Sequence, residues 1–359
     1  MAKLNTSAYK GVRDFYPEDK FIQNYIFKIW RETSERFGFE EYDASILEHT
    51  EIYKEKSGDE IVNEQTYTFI DRGGRDVTLR PEMTPTIARM VAGKRRELGF
   101  PLRWYSIPNL FRYEATQRGR LREHWQLNVD TFGIVNPSAE IEMIALADRI
   151  MKAFGAKSTD YQIRLNSNDS DKTSLKIVFE ALKKSGIDNV IIDETLLRGQ
   201  AYYTGIVFEF FDTNLVNSRS ILGGGRYDNL TTLFGDSDLS AVGMGIGDVT
   251  MRDFLETHGL LPKYSPATKL YLAIIDMGNL NEIVKIIINL RVSGVNVAVD
   301  WSGRKIGDQI KAADKLKVPF VMVVGENELK NNIYSVKNLS SGAEKELKID
   351  EISEYILNN

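Results

Sequence analysis

The chain has 359 residues, of which 42% are hydrophobic and 27% are charged, a composition typical of a folded protein with about two domains. It has no Cys and three His, which excludes disulfides, Cys-ligated metals and a thiol nucleophile and argues against a His-based metal site. The net charge of −5 argues against binding of nucleic acid by bulk positive charge. Because we find no apolar run of about 18 residues and no signal-peptide pattern, we expect a cytoplasmic protein.

The first part of the chain begins with helical and hairpin patterns. Apolar residues at helical spacing over residues 17–37 predict a long amphipathic helix. Two short strand patterns, 67–70 and 76–80, flank a Gly pair and predict a β-hairpin. The following segment, 81–97, predicts a capped helix.

Further elements up to about residue 260 are mostly strands. A clear helix is predicted over residues 139–155. Strands are predicted over residues 103–107, 110–115, 124–133, 206–211, 220–222 and 241–247, with three Gly between the last two. Because successive hairpins dominate and helices are grouped, we predict an α+β fold with an antiparallel sheet flanked by helices.

A Pro-rich linker at 259–269 separates this part from a different pattern. Beyond it, strands and helices alternate over residues 270–275, 279–293, 295–300, 304–317 and 320–324. This alternation predicts a separate α/β domain with a mostly parallel sheet. The predicted domains are residues 1–262 and 267–359.

The densest chemical signal is a basic loop between two predicted strands. Four Arg occur within eleven residues around Gly119, an array suited to phosphates, although such a loop can also be a solvated, charge-balanced turn. In the strand that follows, Gln126 and Asp130 alternate with apolar residues and so lie on one face. Buried polar groups on a sheet face need partners, and a polar ligand would supply them.

Two other segments carry polar or glycine-rich signals. Glu82 and Thr84 lie at a strand-to-helix junction, where an N-cap role explains Thr84 but does not explain Glu82. The triple Gly at 223–225 is weak evidence for a nucleotide site, and a Tyr pair at 202–203 is typical of a core and its rim. Glycine weakens a strand, so the Gly-rich strand 243–247 indicates close approach of a ligand or another backbone.

Together these segments resemble the histidyl-tRNA synthetases, a family of class II aminoacyl-tRNA synthetases. The resemblance covers nearly the whole chain and includes five segments in the family's order: GVRDFYP at 11–17, LRPEMTPTIARM at 79–90, FRYEATQRGRLREHWQ (motif 2) at 111–126, LRGQAYYTG at 197–205 and GGGRYDNL at 223–230. Residues 267–359 resemble the family's anticodon-binding domain.

The resemblance implies a histidine–tRNA ligase, a homodimer that activates histidine with ATP and Mg²⁺ and transfers it to tRNA(His). It places Arg112 and Arg198 on opposite sides of the α-phosphate. The implied histidine-binding residues are Glu82, Thr84, Gln126, Asp130, Tyr202, Tyr203 and Tyr227. The implied ATP-binding residues are Arg112, Glu114, Arg120 and Arg198, and the implied tRNA contacts are Gln117, Arg304 and Lys305.

The chain departs from the family pattern in three places. Asp248 follows the Gly-rich strand, and the arginine that usually ends motif 3 is missing, which leaves the γ-phosphate ligand open. Ser45 stands where motif 1 usually has a proline at the dimer interface. A short interval between the flanking motifs implies that the helical insertion near 160–193 is reduced to one helix around 171–186.

Two other functions stay open at this point. One is a synthetase paralogue that regulates the ATP phosphoribosyltransferase of histidine biosynthesis; such paralogues usually lack the anticodon-binding domain and lose the ATP-site arginines. This chain retains Arg112, Arg198 and the C-terminal domain, which favours the enzyme. The other is an RNA-binding module with an inactive synthetase fold, which predicts a damaged amino-acid pocket.

Overall fold

A computed structural model describes residues 4–54, 65–196 and 202–359. The chain divides into two compact units, Met1–Pro262 and Lys263–Asn359. None of the helices in the described ranges is long and apolar enough to cross a membrane.

The first unit is built from helices around a large sheet. Its helices are α1 Pro17–Arg36, α2 Glu51–Lys54, α3 Thr84–Lys94, α4 Ser138–Ala153, α5 Thr173–Lys184 and α6 Asp248–Thr257. Its strands are β1 Glu40–Glu41, β2 Leu47–His49, β3 Tyr67–Ile70, β4 Asp76–Leu79, β5 Leu102–Ser106, β6 Asn109–Phe111, β7 Glu123–Phe132, β8 Tyr161–Ser167, β9 Val190–Ile192, β10 Ile206–Asp212, β11 Ser220–Arg226 and β12 Ala241–Gly247.

The large sheet has the strand order β1-β5-β7-β12-β11-β10-β8-β9, and β6 pairs with β7 beside this path. Neighbouring strands along the path β5-β7-β12-β11-β10-β8 pair antiparallel, whereas β1 and β9 pair parallel at the two edges of the sheet. The predicted α+β fold with an antiparallel sheet flanked by helices is therefore confirmed. The helix Thr173–Lys184 follows β8 and precedes β9 in the chain, and these two strands pair in parallel at one edge of the sheet.

The main core lies on one face of the sheet. Trp30 of α1, Met143 of α4 and Phe254 of α6 are fully buried there, together with Leu127 and Val129 of β7. Because successive residues of a strand point to opposite faces, this packing directs the intervening residues of β7 to the other side of the sheet. That second side carries the polar side chains.

A small sheet of order β2-β4-β3 packs beside this platform. The hairpin of β3 and β4 forms as predicted, with Asp71 accepting hydrogen bonds from the backbone of Gly73 and Arg75 in the turn. Strand β4 leads directly into the junction that carries Glu82. This hairpin therefore determines where the junction lies.

Two predicted strand boundaries are wrong. The strand predicted over 110–115 ends at Phe111, because beyond Arg112 the backbone amide of Tyr113 donates to Gln65 and that of Glu114 donates to Arg112. The strand predicted over 220–222 continues to Arg226 and contains the triple Gly. Glycine is needed within that strand because a Cβ on Gly224 would overlap the carbonyl oxygen of Gly243.

The second unit is an α/β domain. Its strands are β13 Leu270–Ile274, β14 Val297–Val299, β15 Phe320–Val324, β16 Tyr334–Asn338 and β17 Glu344–Leu347. Its helices are α7 Leu280–Val292, α8 Ile306–Lys315, α9 Glu326–Asn331 and α10 Ile349–Asn358. Strands β14, β13 and β15 are parallel, as the alternating pattern predicts, and the sequence analysis missed the antiparallel strands β16 and β17 that extend the sheet.

Candidate active site

Strand β7 is the platform of the site. Gln126 and Asn128 line a cavity on the polar side of the sheet, and Asp130 is fully buried behind its wall. The period of two that predicts Gln126 and Asp130 on one face also includes Asn128, which the sequence analysis did not single out. These side chains need space above the neighbouring strand β12.

The glycines of β12 provide that space. A Cβ on Gly243 would overlap the Oδ1 atom of Asp130, and a Cβ on Gly245 would overlap the side-chain amide of Gln126. The Gly-rich strand thus admits close approach, as predicted, but the groups that approach are side chains of β7. Glycine at these two positions is what allows both polar side chains to lie flat across the sheet.

The smaller of two adjacent cavities has a volume of about 100 Å³. It is lined by Glu82, Thr84, Arg112, Gln126, Asn128, Tyr202, Tyr203, Gly223, Tyr227, Gly243, Met244 and Gly245. The structure thus brings together six of the seven residues implied for histidine binding, from four separate segments. The seventh, Asp130, contacts the wall residue Tyr227.

Asp130 and Tyr227 form a buried hydrogen-bonded pair in which the Tyr227 hydroxyl donates to Oδ1 of Asp130. The Oδ2 atom of Asp130 has no hydrogen-bond partner among the described residues. Burial raises the pKa of Asp130 to about 7, although the hydrogen bond from Tyr227 opposes this shift. Burial, followed by the charge of Asp130, raises the pKa of Tyr227 well above its ordinary value.

The opposite wall is formed by Glu82 and a tyrosine pair. The Tyr202 hydroxyl donates to Oε2 of Glu82 at 3.2 Å, and the rings of Tyr202 and Tyr203 lie 4.9 Å apart. Tyr202 is buried and Tyr203 half-buried, so the pair is both core and rim. Thr84 is the first residue of α3 and not its N-cap, because the cap position is Met83 and no side chain caps this helix.

The larger cavity has a volume of about 430 Å³ and shares Arg112, Gln126, Gly223 and Gly245 with the smaller one. Its polar lining consists of Arg112, Glu114, Arg120, His124, Gln126, Glu209, Ser218, Arg219, Ser220 and Thr250. Arg112 donates from Nε to the carbonyl oxygen of Pro81 at 2.8 Å, which fixes its guanidinium where the two cavities meet. Arg112 therefore contacts both spaces.

The arginines of the basic hairpin do not form one array. Arg112 and Arg120 line the larger cavity, and Arg120 forms a 3.2 Å ion pair with buried Glu114. Arg122 instead packs 3.8 Å over the ring of Tyr113, because the backbone turns it toward the N-terminal segment. Arg118 likewise turns away and donates to Asn217 at 2.9 Å. The predicted four-arginine phosphate array is thus wrong for Arg118 and Arg122.

The tip of this hairpin is a two-residue turn. The backbone amides of Gln117 and Arg120 each donate to the other's carbonyl oxygen, and Gly119 has φ of 76°, which favours glycine. Gln117 is exposed at the tip, outside both cavities. Arg198 lies outside the described residues.

His124 is a cavity residue that the sequence analysis missed. Burial, followed by the charges of Arg112 and Arg13, lowers its pKa to about 3, so the imidazole is neutral at physiological pH. Glu209 and Arg219 also line the larger cavity without having been singled out. Alternation along β10 could have placed Glu209, whereas no local pattern marks Arg219.

Asp248 lies outside both cavities and is buried at the start of α6. Its two carboxylate oxygens accept hydrogen bonds from Arg13 at 2.7 Å and from the backbone amide of Trp125 at 2.9 Å. Burial raises its pKa, and the Arg13 charge opposes that shift. Asp248 therefore ties the N-terminal segment and β7 to the helix.

In the second unit, Arg304 and Lys305 are exposed just before α8. Arg304 donates to Asp300 at 2.7 Å, so part of its charge is compensated within the loop. Although burial raises the pKa of Asp300, hydrogen bonds from Ser302 and Tyr271 keep that pKa well below its ordinary value. Lys305 is the N-cap residue of α8 and makes no side-chain cap bond there.

The chain matches two family models along nearly its whole length. The model described as histidyl-tRNA synthetase matches residues 11–169 and 164–247, and the one described as anticodon binding domain matches residues 269–359. The chain belongs to the histidyl-tRNA synthetase family.

Individual relatives agree with this assignment. A histidine–tRNA ligase of Leptospira biflexa is 37% identical over 94% of each chain, and one of Thermoplasma volcanium is 33% identical over 97% of each chain. The crystal structure of apo Staphylococcus aureus histidyl-tRNA synthetase superposes with a TM-score of 0.85 and 28% identity, and the match covers 99% of this chain and 100% of that one. The histidyl-tRNA synthetase fold and a C-terminal anticodon-binding domain, both implied by the motifs, are confirmed.

Proposed function

We propose that the chain ligates histidine to tRNA(His) in two steps. A carboxylate oxygen of histidine attacks the α-phosphorus of ATP, the bond to the bridging oxygen breaks, and pyrophosphate leaves. The 3′-terminal ribose hydroxyl of the tRNA then attacks the activated carbonyl, and AMP leaves. The observation that carries this proposal is that Arg112 lies in the wall shared by the small polar cavity and the larger arginine-lined cavity.

The smaller cavity suits histidine. Asp130 lies behind the cavity wall, hydrogen-bonded to the wall residue Tyr227, and its unpartnered carboxylate oxygen would accept a hydrogen bond from an imidazole N–H that reaches it. Tyr203 lines the same cavity and would also face the imidazole. Glu82 and Gln126 supply oxygens for the α-ammonium group, with Thr84, Tyr202 and Tyr227 completing the wall. An amino acid without an imidazole would leave the buried carboxylate oxygen of Asp130 without a partner, which gives discrimination without editing.

The larger cavity suits MgATP. Arg112 would contact the α-phosphate and neutralise charge that develops in the transition state, with Arg198 proposed on the opposite side. Glu114 and Arg120 line the cavity as an ion pair that a nucleotide could contact. Mg²⁺ would enter with ATP and screen the outgoing pyrophosphate, and Glu114 and Glu209 are carboxylates of this lining that fit such an ion.

For tRNA, we propose contacts at two places. Gln117, exposed at the tip of the motif 2 hairpin, would meet the acceptor end. Lys305 and the partly compensated Arg304 would contact the anticodon arm in the second unit. Residues 1–262 would form the catalytic domain and residues 267–359 the anticodon-binding domain.

We also propose that the acceptor-stem insertion is reduced in this chain. The synthetase model matches in two pieces that meet at residues 164–169, and the alignment with the Leptospira relative spans 412 positions, more than this chain's length. The alignment length supports a deletion relative to the Leptospira protein, and the break in the family match supports its place near 160–193, with the helix Thr173–Lys184 remaining. A homodimer in the cytoplasm is the assembly we expect, and exposed Ile46 and Leu47 beside Ser45 support an interface there.

The test is exchange of labelled pyrophosphate into ATP with each amino acid in turn, followed by aminoacylation of tRNA(His). We expect exchange with histidine alone. A folded chain that shows no exchange with histidine would contradict the proposal and favour the phosphoribosyltransferase regulator. Exchange with several amino acids would contradict the assignment of the smaller cavity.

A further inference from the structure

Arg219 is a cation of the larger cavity to which no role has been assigned. It directly precedes strand β11 and lines the cavity as a half-buried side chain. Its Cδ atom lies 3.1 Å from the position that a Cβ on Gly119 would occupy, so the side chain packs under the tip of the motif 2 hairpin. Glycine at the tip permits this close packing.

Among the described residues, the guanidinium of Arg219 lacks an ion-pair partner. Its guanidinium makes no hydrogen bond or ion pair with the residues that the structure describes. Glu114, the carboxylate that acts on it electrostatically, is already paired with Arg120 at 3.2 Å. Burial, followed by the charge of Arg120, lowers the pKa of Arg219. A polyanion between the two arginines would relieve this repulsion.

Arg118 lies near Arg219 at the hairpin tip, but it donates to Asn217 and Thr257 and does not line the larger cavity. Helix α6 contributes Val249 and Thr250 to the described lining of that cavity, and neither is a cation. Thr250 of α6 meets the same point of the hairpin, with its Cγ2 atom 3.4 Å from the Cβ position of Gly119. The Thr250 hydroxyl donates to the carbonyl oxygen of Ile221 at 2.9 Å, and Asp248 is bound to Arg13 beneath. Helix α6 therefore brings no positive side chain to this corner, and Arg219 does.

We propose that Arg219 binds the β- and γ-phosphates of ATP, and the pyrophosphate product, while Arg112 binds the α-phosphate. This inference rests on the proposed function, because it takes ATP as the ligand of the larger cavity. Arg112 is fixed at the boundary with the histidine cavity, so the remaining phosphates extend into the space that Arg120 and Arg219 line. Of these two, Arg219 is the one whose charge lacks an ion-pair partner.

The direct test compares binding of AMP with binding of the non-hydrolysable analogue α,β-methylene-ATP by calorimetry. Arg219→Gln should weaken binding of the analogue about 10- to 100-fold, because a charged hydrogen bond is lost, and leave AMP binding within about twofold. Arg219→Lys keeps the charge without the planar fork and should fall between. The matched control is Arg149→Gln, on the exposed side of α4 and outside both cavities.

Exchange kinetics give a second measurement. In Arg219→Gln the KM values for ATP and for pyrophosphate should both rise about 10-fold or more, while the KM for histidine stays within about twofold. Equal losses for AMP and the analogue, or no loss for either, would overturn the role of Arg219. Failure of the wild-type chain to exchange with histidine would contradict the proposed function, and the binding comparison would still decide on Arg219 because it needs no turnover.

Discussion

The two cavities that meet at Arg112 differ in how their polar groups are satisfied. In the smaller cavity, Tyr227 binds Asp130 and Tyr202 binds Glu82, so the wall is held by internal hydrogen bonds among buried groups. In the larger cavity, Arg219 carries charge without an ion-pair partner among the described residues. The first arrangement favours selectivity through a preformed network, and the second favours binding of a ligand that brings negative charge.

The largest expected effect lies at the boundary between the cavities. Arg112→Gln should lower kcat for histidine-dependent pyrophosphate exchange about 100- to 1000-fold, because it removes a fixed donor from charge that develops in the transition state. Arg149→Gln makes the same chemical change on an exposed helix face and should leave exchange unchanged. Near-normal exchange by a folded Arg112→Gln variant would contradict the role of Arg112 as the functional link between the two cavities.

Asp130→Asn should damage only the smaller cavity. It keeps the shape of the side chain but removes the buried charge that would accept from an imidazole. We expect kcat/KM for histidine to fall about 10- to 100-fold, while the KM for ATP stays within about twofold. Steady-state exchange with each substrate varied in turn measures both. A loss shared equally between histidine and ATP would show that the cavities are not independent.

Gly243→Ala tests the close approach of β7 to β12. The added methyl group would overlap Oδ1 of Asp130 and lie 3.1 Å from the carbonyl oxygen of Val129, so the carboxylate must shift. The KM for histidine should rise about 10-fold, as a displaced charged hydrogen bond costs about 1.5 kcal/mol. Gly93→Ala, on α3 with open space around its Cβ position, is the matched control. Equal kinetics in both variants would show that β12 tolerates bulk there.

The last prediction concerns stability and pH. The pKa of Asp130 is about 7 in the folded protein, above the value of about 3.9 for an unfolded chain. The folded state therefore binds more protons between these values, and wild-type stability should fall as pH rises from 4 to 7. The Asp130→Asn variant has no carboxyl group at this position, so this proton uptake is absent from it. The difference in the free energy of unfolding, variant minus wild type, should grow with pH up to about 7 and then level off, as measured by urea titration.

A difference that does not change with pH would mean that Asp130 is ionised throughout. The charge of Asp130 raises the pKa of Tyr227, but this tyrosine stays protonated between pH 4 and 7 in both proteins and does not contribute to the difference. The comparison therefore isolates the titration of Asp130.

Much of the fold follows from local sequence patterns. Helical periodicity predicts α1 and α4, and the alternation beyond residue 267 predicts the parallel part of the second sheet. The order of the strands does not follow, because it depends on contacts between distant segments. Strand β11 is one example. It runs through three glycines because the carbonyl oxygen of Gly243 on the neighbouring strand leaves no room for a Cβ at Gly224.

The candidate site is predictable to a similar degree. Motifs indicate the residues that line the smaller cavity, and strand alternation accounts for the placement of Asn128. Local patterns overestimate the number of hairpin arginines that line the cavity, because Arg118 binds Asn217 and Arg122 packs over Tyr113 instead. They miss Arg219 entirely, because its role depends on a neighbour that is a hundred residues away in the chain.

The most direct test of the account is a crystal structure with a sulfamoyl analogue of histidyl-adenylate. We expect the imidazole beside Asp130, the adenosine in the larger cavity and the sulfamoyl group on the guanidinium of Arg112. An analogue bound with its sulfamoyl group away from Arg112, or with its imidazole outside the smaller cavity, would contradict the assignment of the two cavities.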